Sequence, residues 1–274
     1  MKISVIFTTY NKPDYLRLCI LSFAQQTLLP SEVIVADDGS TEETGALIHE
    51  MKKRFSNLFT IKHVWHEDVG FRRSGILNKA AREASGDYLI FTDGDCMAHR
   101  HFVRSHVEYS HPSAVLGGRR IEIGKELTER LLGEGSIVNS FNMRLLYDAI
   151  KGQSRKVEEA IHIKNNLLRW MLHRDRITDD GIWGCNCSLY KKLFMEVNGY
   201  DEDFQYSNED NDLGIRALNQ GKNVKSVRGL AIVFHLWHPT RWNFEDERFY
   251  RDYAILERRI ANREPFCKNG VIKK

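Results

Sequence analysis

Tyr88-Leu89-Ile90-Phe91-Thr92, followed by Asp93-Gly94-Asp95, is the stretch on which the fold turns. The run is apolar on both faces, as a strand buried inside a parallel sheet must be. Asp-Gly then breaks it with a turn. Working outward, Ile3-Ser4-Val5-Ile6-Phe7 and Glu32-Val33-Ile34-Val35-Ala36 are predicted strands, with a weaker one near Phe59–Trp65. Between them, Pro13 suits a first helical turn, and Tyr15, Leu16, Leu18, Cys19 and Phe23 recur at helical spacing. Ser40-Thr41-Glu42-Glu43 matches a capping box and opens a second helix. A third covers roughly Ser74–Ala84, with Gly86 as its C-terminal stop. Strands alternating with helices predict an α/β fold with a mostly parallel central sheet. Ligands of such sheets bind beyond the carboxyl ends of the strands. Three segments stand there: Thr8-Thr9-Tyr10-Asn11, Asp37-Asp38-Gly39-Ser40 and Asp93-Gly94-Asp95.

The rhythm changes after Gly117-Gly118. Residues 119–180 read as a largely helical insertion, charged and without a clear strand. Within it, Leu167, Leu168, Met171 and Leu172 beside Arg169, Arg174 and Arg176 read as an amphipathic, locally basic helix with a solvated face, in preference to membrane contact. A compact region resumes at Trp183, a strand is expected over Ala231-Ile232-Val233-Phe234, and the charged tail after Trp242 is expected to be helical. The division is therefore 1–118, 119–180 and 181–274, within one continuous unit.

Composition excludes several classes. With 42% hydrophobic and 28% charged residues the chain is an ordinary globular sequence. Its 40 basic and 37 acidic residues leave only +3, which gives no reason to expect nucleic acid as a partner. No run of 18 apolar residues and no signal-peptide pattern at Met1-Lys2-Ile3 are found, so a cytoplasmic protein with reduced thiols is expected. Cys185-x-Cys187 has no partner pair, and packing is the expectation rather than zinc.

Asp93-x-Asp95 offers two carboxylates to one hard cation such as Mg²⁺ or Mn²⁺, or is simply a turn. Asn208-Glu209-Asp210-Asn211-Asp212 is an acidic loop capping a helix, or carries a general base. Asp201-x-Asp203 begins no calcium loop, because Tyr206 stands where glycine is required. His235-Leu236-Trp237-His238 follows an apolar strand, where histidine is a structural residue or a ligand for manganese or iron. A non-haem iron triad is a rival, although the order of residues differs from its usual one. No dinucleotide fingerprint, P-loop or nucleophile elbow is present.

Thr8-Thr9-Tyr10-Asn11, Asp37-Asp38-Gly39-Ser40 and Asp93-x-Asp95, in this order, resemble the nucleotide-binding half of family-two GT-A glycosyltransferases. Trp183-Gly184-Cys185-Asn186, Asn198-Gly199-Tyr200-Asp201, Glu209-Asp210-Asn211-Asp212 and Arg216 resemble the C-terminal region of chondroitin-polymerase-type bacterial enzymes and β-1,4-galactosyltransferases. Phe71-x-Arg73 and Leu77-Asn78 fit the same group. The resemblance covers about 1–118 and 180–240, with Cys185 and Asn211 as departures.

The resemblance implies a GT-A fold and metal-dependent, inverting transfer of a hexose or N-acetylhexosamine from a UDP-sugar to a hydroxyl of a glycan or glycolipid. It implies Mn²⁺ or Mg²⁺ as cofactor, and bacterial surface polysaccharide or lipopolysaccharide synthesis at the inner face of the cell membrane. Thr8, Tyr10 and Asp38 would hold the uridine, with Arg73 and Asp93 beside the nucleotide. Asp93, Asp95 and His235 would ligate the metal, with His238 in reserve. Asp210 would be the catalytic base, and Trp183, Gly184 and Glu209 would line the sugar and acceptor pocket. Its rivals are a sugar-nucleotide pyrophosphorylase, which would need a Gly-rich basic loop where Thr8–Asn11 stands, and a non-catalytic sugar-nucleotide-binding protein.

Overall fold

The first four strands are β1 (Ile3–Thr9), β2 (Glu32–Asp37), β3 (Thr60–Trp65) and β4 (Tyr88–Asp93). Helices α1 (Pro13–Ala24), α2 (Glu42–Arg54) and α3 (Arg73–Glu83) connect them. In the computed structural model, which describes residues 1–137, 141–177, 181–239 and 245–273, all four strands pair in parallel. β5 (Cys96–Ala98), α4 (Phe102–Glu108), β6 (Ala114–Gly117), β7 (Arg120–Glu122), α5 (Lys125–Glu134), α6 (Phe141–Ile150) and α7 (Asn166–Met171) follow. The rest comprises β8 (Cys187–Tyr190), α8 (Lys191–Glu196), α9 (Glu209–Asn219), β9 (Asn223–Ser226), β10 (Val233–His235) and α10 (Glu247–Asn262).

The main sheet has the order β3-β2-β1-β4-β8-β6-β9, so the strand read first is central to it. β8 is antiparallel to both its neighbours. A small sheet, β5-β10-β7, lies apart from it. β4 is buried along nearly its whole length, and separate apolar clusters cover the main sheet's two faces. Because β8, β6 and β9 complete a sheet begun by β1–β4, the parts 1–118 and 181–274 share one sheet.

Register positions the chemistry. Thr8 lies opposite both Ala36 and Asp93, and Thr9 opposite Asp37. The polar ends of β1, β2 and β4 therefore line one edge. In the small sheet His235 pairs with Cys96, which sets it beside Asp95.

Several local expectations are corrected. Ser40 and Thr41 do not cap α2 through their side chains. The Ser40 hydroxyl instead accepts the Asn11 N–H, and the Asn11 side chain accepts the Thr41 N–H, which ties the first two loops together. Gly86 is no left-handed helix stop, because α3 is capped at Ala84 in extended geometry. A Cβ on Gly86 would lie 2.4 Å from the Ser4 hydroxyl, so glycine is there to let the chain approach β1. Residues 119–180 are mainly helical where described, but they also contain strand β7; the expectation for 138–140 and 178–180 lies outside the described residues. The last strand is Val233–His235, shifted from Ala231–Phe234. In and just after α7, Arg169 and Arg174 are buried, while Leu167, Leu168, Met171 and Leu172 are exposed, so the solvated face is the apolar one.

Asp212, expected as a helix cap, is fully buried in an ion-pair cluster. It lies 2.7 Å from Arg216 Nε and 2.6 Å from Arg259 Nε. Arg216 also donates to the carbonyls of Val197 and Gly199, and Arg259 reaches Asp201 at 2.6 Å. Asn78 clamps the same turn from α3, donating to Tyr200 O and accepting from Tyr200 N. Breaking a buried pair leaves its partner charge uncompensated. Asp212→Asn is therefore expected to cost about 3–5 kcal/mol of unfolding free energy, read from denaturant midpoints. A loss below about 1 kcal/mol would return Asp212 to the exposed-cap class.

Candidate active site

Beyond the carboxyl edge of β1, β2 and β4 opens a cavity of about 290 Å³ lined by Thr8, Tyr10, Lys12, Asp38, Phe71, Arg73, Asp93, Asp95 and His238, among others. A cleft of this size suits a small-molecule ligand.

At the β2 end, Asp37 and Asp38 divide their work. Asp37 is structural: its carboxylate accepts from Ser40 N at 2.8 Å and from His63 Nε2 at 2.8 Å. Asp38 faces the cavity, held by His66 Nε2 at 2.6 Å and Arg72 N at 3.0 Å. Each of its oxygens keeps acceptor capacity, since a carboxylate has about four lone-pair sites. The Tyr10 hydroxyl donates to Asp68 at 2.8 Å, and Asp68 also lines the cavity. His66 and Asp68 escaped the sequence reading because they lie in a loop after β3 without a motif of their own.

At the β4 end the two aspartates separate. Asp93 accepts from the Thr8 hydroxyl at 2.8 Å and from Arg73 at 2.8 Å. Asp95 instead forms a cluster with two histidines: His235 Nε2 lies 3.6 Å and His238 Nε2 3.2 Å from its carboxylate, and Lys12 Nζ lies 3.2 Å away. Burial opposes ionisation of Asp95, but the His238 hydrogen bond, with His235 and Lys12 close by, holds its carboxyl far below the usual range. Burial pushes His235 down to about 4, only partly offset by Asp95, so its imidazole is neutral near pH 7.

Ligand atoms of Asp95, His235 and His238 lie within 4.8 Å of one another. One carboxylate with two imidazoles is a donor set that suits Mn²⁺. His238 Nδ1 lies 2.9 Å from the Pro239 carbonyl, the second contact that directs Nε2 inward. Asp93 stands in a different group, with Cys96 and Cys185. His238 Nε2 thus lies at least as near to Asp95 as His235 Nε2 does. His235→Ala and His238→Ala are each expected to raise the Mn²⁺ concentration for half-maximal activity by about 10- to 100-fold. Unchanged Mn²⁺ titrations in both variants would make the histidines structural.

Arg73 links this edge to α9. It lies 2.8 Å from Asp93 and 2.6 Å from Glu209. Burial works against its charge, but those two carboxylates hold its guanidinium firmly protonated. Glu209 and Asp210 open α9, where the helix dipole favours negative charge. Asp210 accepts from Gly184 N at 2.6 Å and Asn211 N at 2.8 Å. Burial nonetheless raises its pKa, opposed by Arg73, and burial pushes Glu209 up to about 7. A Cβ on Gly184 would sit 2.9 Å from Arg73 and 3.3 Å from Asp210, so a larger residue there would press on both side chains. Trp183, half-buried beside it, stacks with Arg119 at 4.6 Å and Lys156 at 4.3 Å from the ring centroid.

The separation of Cys185 and Cys187 is also visible. Both are buried free thiols, Cys185 beside Cys96 and Cys187 against the Tyr200 hydroxyl. Arg73, Asp93, Asp95 and His238 therefore meet around one cleft, and Asp210, its pKa raised, stands near Arg73 at Gly184, an arrangement suited to stabilising a departing anion and accepting a proton.

Comparison with known proteins agrees with this geometry. Residues 4–193 match the profile of glycosyl transferase family 2, and residues 171–239 that of the N-terminal domain of galactosyltransferase. The chain is 28% identical over 268 residues to chondroitin synthase of Escherichia coli, covering 92% of this chain and 37% of that protein. It is 31% identical over 230 residues to validoxylamine A glucosyltransferase of Streptomyces hygroscopicus subsp. limoneus, covering 80% of this chain and 48% of the relative. It thus spans less than half the length of either. The structure of GalNAc-T7 with UDP, GalNAc and Mn2+ superposes with a TM-score of 0.65 at 13% identity, over 94% of this chain and 48% of that one. The α/β architecture is that of GT-A glycosyltransferases.

Proposed function

The chain belongs to glycosyl transferase family 2, and from that premise we propose that it transfers a hexose or N-acetylhexosamine from a UDP-sugar to a glycan hydroxyl, with inversion and with a divalent metal. The observation that carries this reading is one cleft lined by Arg73, Asp93, Asp95 and His238, with His235 beside Asp95 and Glu209 paired to Arg73. Relatives named as a chondroitin synthase and a glucosyltransferase, and a neighbour solved with UDP and Mn2+, support the donor class and the cation. A pathway of bacterial surface polysaccharide or lipopolysaccharide synthesis at the inner membrane face is the setting we favour.

In this mechanism Thr8, Tyr10 and Asp38 hold the uridine, and Arg73 and Asp93 adjoin the ribose and diphosphate. Asp95, His235 and His238 would hold Mn²⁺, which supplies Lewis-acid neutralisation of the diphosphate. Trp183 and Glu209 border the acceptor. Asp210 takes the proton of the acceptor hydroxyl as that oxygen bonds to the sugar C1. The bond from C1 to the diphosphate breaks, its electrons leave with UDP, and a single displacement inverts the centre.

The uridine pocket supplies the test. Asp38 would accept the uracil ring N–H, which cytosine lacks, and a site built around such a bond rejects bases that cannot supply it. By calorimetry UDP is expected to bind at least about tenfold tighter than CDP, and Asp38→Ala to erase the difference. Equal affinities in the parent protein would remove the basis for a uridine donor.

A further inference from the structure

Ten large apolar side chains stand exposed between Met143 and Leu172, out of nineteen among the described residues. On α6, Met143, Leu146, Tyr147 and Ile150 fall on one helical stripe, and Ile150 is 77% exposed. The opposite stripe, with Phe141 and Leu145, is the one packed into the protein. On α7 the outward residues include Leu167 and Trp170, the latter 61% exposed, while Arg169 turns inward to the carbonyls of Ser226 and Arg174. This orientation is fixed by these buried hydrogen bonds.

The two helices belong to one surface. The short helical turn Val157–Ala160 packs on α6. Arg174, just past α7, donates to the carbonyls of Glu158 and Ile161 on that turn, and Ile161 is itself exposed between the helices. Around this apolar ground the exposed cations Lys151, Arg155, Lys156, Lys164 and Arg176 outnumber the exposed anions Glu158, Asp175 and Glu134, the last of which pairs with Arg144. Arg155 and Lys156 also reach Glu122.

We propose that α6, Ile161 and α7 form a docking surface for an anionic lipid bilayer, lying in its interface without crossing it. Aliphatic side chains enter the headgroup boundary, Trp170 and Tyr147 suit its amphipathic depth, and the surrounding lysines and arginines meet anionic headgroups. A second copy of the chain is the poorer occupant, since a twofold contact would set the same cations against themselves. No helix among the described residues is long and apolar enough to span a membrane, which fits contact in the plane. Lys156 on its border stacks on Trp183, the neighbour of Gly184. The proposal does not depend on the donor sugar or on the metal.

The experiment is vesicle co-sedimentation of the purified chain, with equal parts phosphatidylglycerol and phosphatidylcholine or with phosphatidylcholine alone. The parent is expected to partition about tenfold or more in favour of the anionic vesicles. The double variant Ile150→Glu/Trp170→Glu is expected to lose about tenfold or more of that binding with an unchanged melting temperature. Leu218→Glu, at an exposed site on α9, controls for added charge and is expected to bind as the parent does. Parent protein left in the supernatant with anionic vesicles overturns the proposal, as does undiminished binding of a folded double variant. Equilibrium sedimentation without lipid is the remaining arm: a dimer abolished by the same substitutions would assign the face to a second copy.

Discussion

Asp210→Asn is expected to lower single-turnover transfer by about 10²–10⁴, the usual worth of a general base. The substitution keeps size and polarity and removes basicity. UDP and Mn²⁺ affinity should hardly change, because Asp210 is bound to the backbone N–H groups of Gly184 and Asn211, across Arg73 from the nucleotide edge. Its pKa is raised by burial, so the competent, ionised form is lost on acidification sooner than for an aspartate in water. Transfer by the parent should therefore fall on acidification at a higher pH than the titration of an aspartate in water, and the Asn variant should lack that acidic limb. Normal turnover of Asp210→Asn, or a loss confined to UDP binding, would place the base elsewhere.

Asp95→Ala is expected to cost about 10³-fold or more in turnover, since removing a ligand forfeits several kcal/mol of charge stabilisation on the departing diphosphate. It also leaves Lys12, His235 and His238 without their shared carboxylate. Asp95 lies past the end of β4, so the far-ultraviolet circular dichroism should be that of the parent. Calorimetric Mn²⁺ binding should disappear with the activity. A folded Asp95→Ala protein that still binds Mn²⁺ and turns over would remove this carboxylate from the metal site.

The carboxyl edge of the sheet was legible because it follows from local rules. Apolar runs ending in Thr8, Asp37 and Asp93 are the carboxyl ends of parallel strands, and register alone sets them side by side. What sequence could not show is how neighbours divide roles. Asp37 and Asp38 are adjacent, yet one binds Ser40 and His63 while the other faces the cleft. Asp210 and Asp212 are two residues apart, yet one accepts from a glycine N–H and the other neutralises two buried arginines. Helical phase at α9 decides between them, and the acidic run carries no apolar periodicity to reveal that phase. Which face of α7 is solvated was not legible either: the carbonyls of Ser226 and Arg174 satisfy Arg169 inside, which no local pattern encodes.

The most direct measurement is UDP release from a panel of UDP-sugars with Mn²⁺, without acceptor and then with candidate glycans, each repeated in excess EDTA. At least one UDP-sugar should be hydrolysed slowly by the parent chain, the reaction should stop in chelator, and Mn²⁺ should restore it. No release from any UDP-sugar, or release that continues undiminished in EDTA, would contradict a metal-dependent transfer from a UDP-sugar.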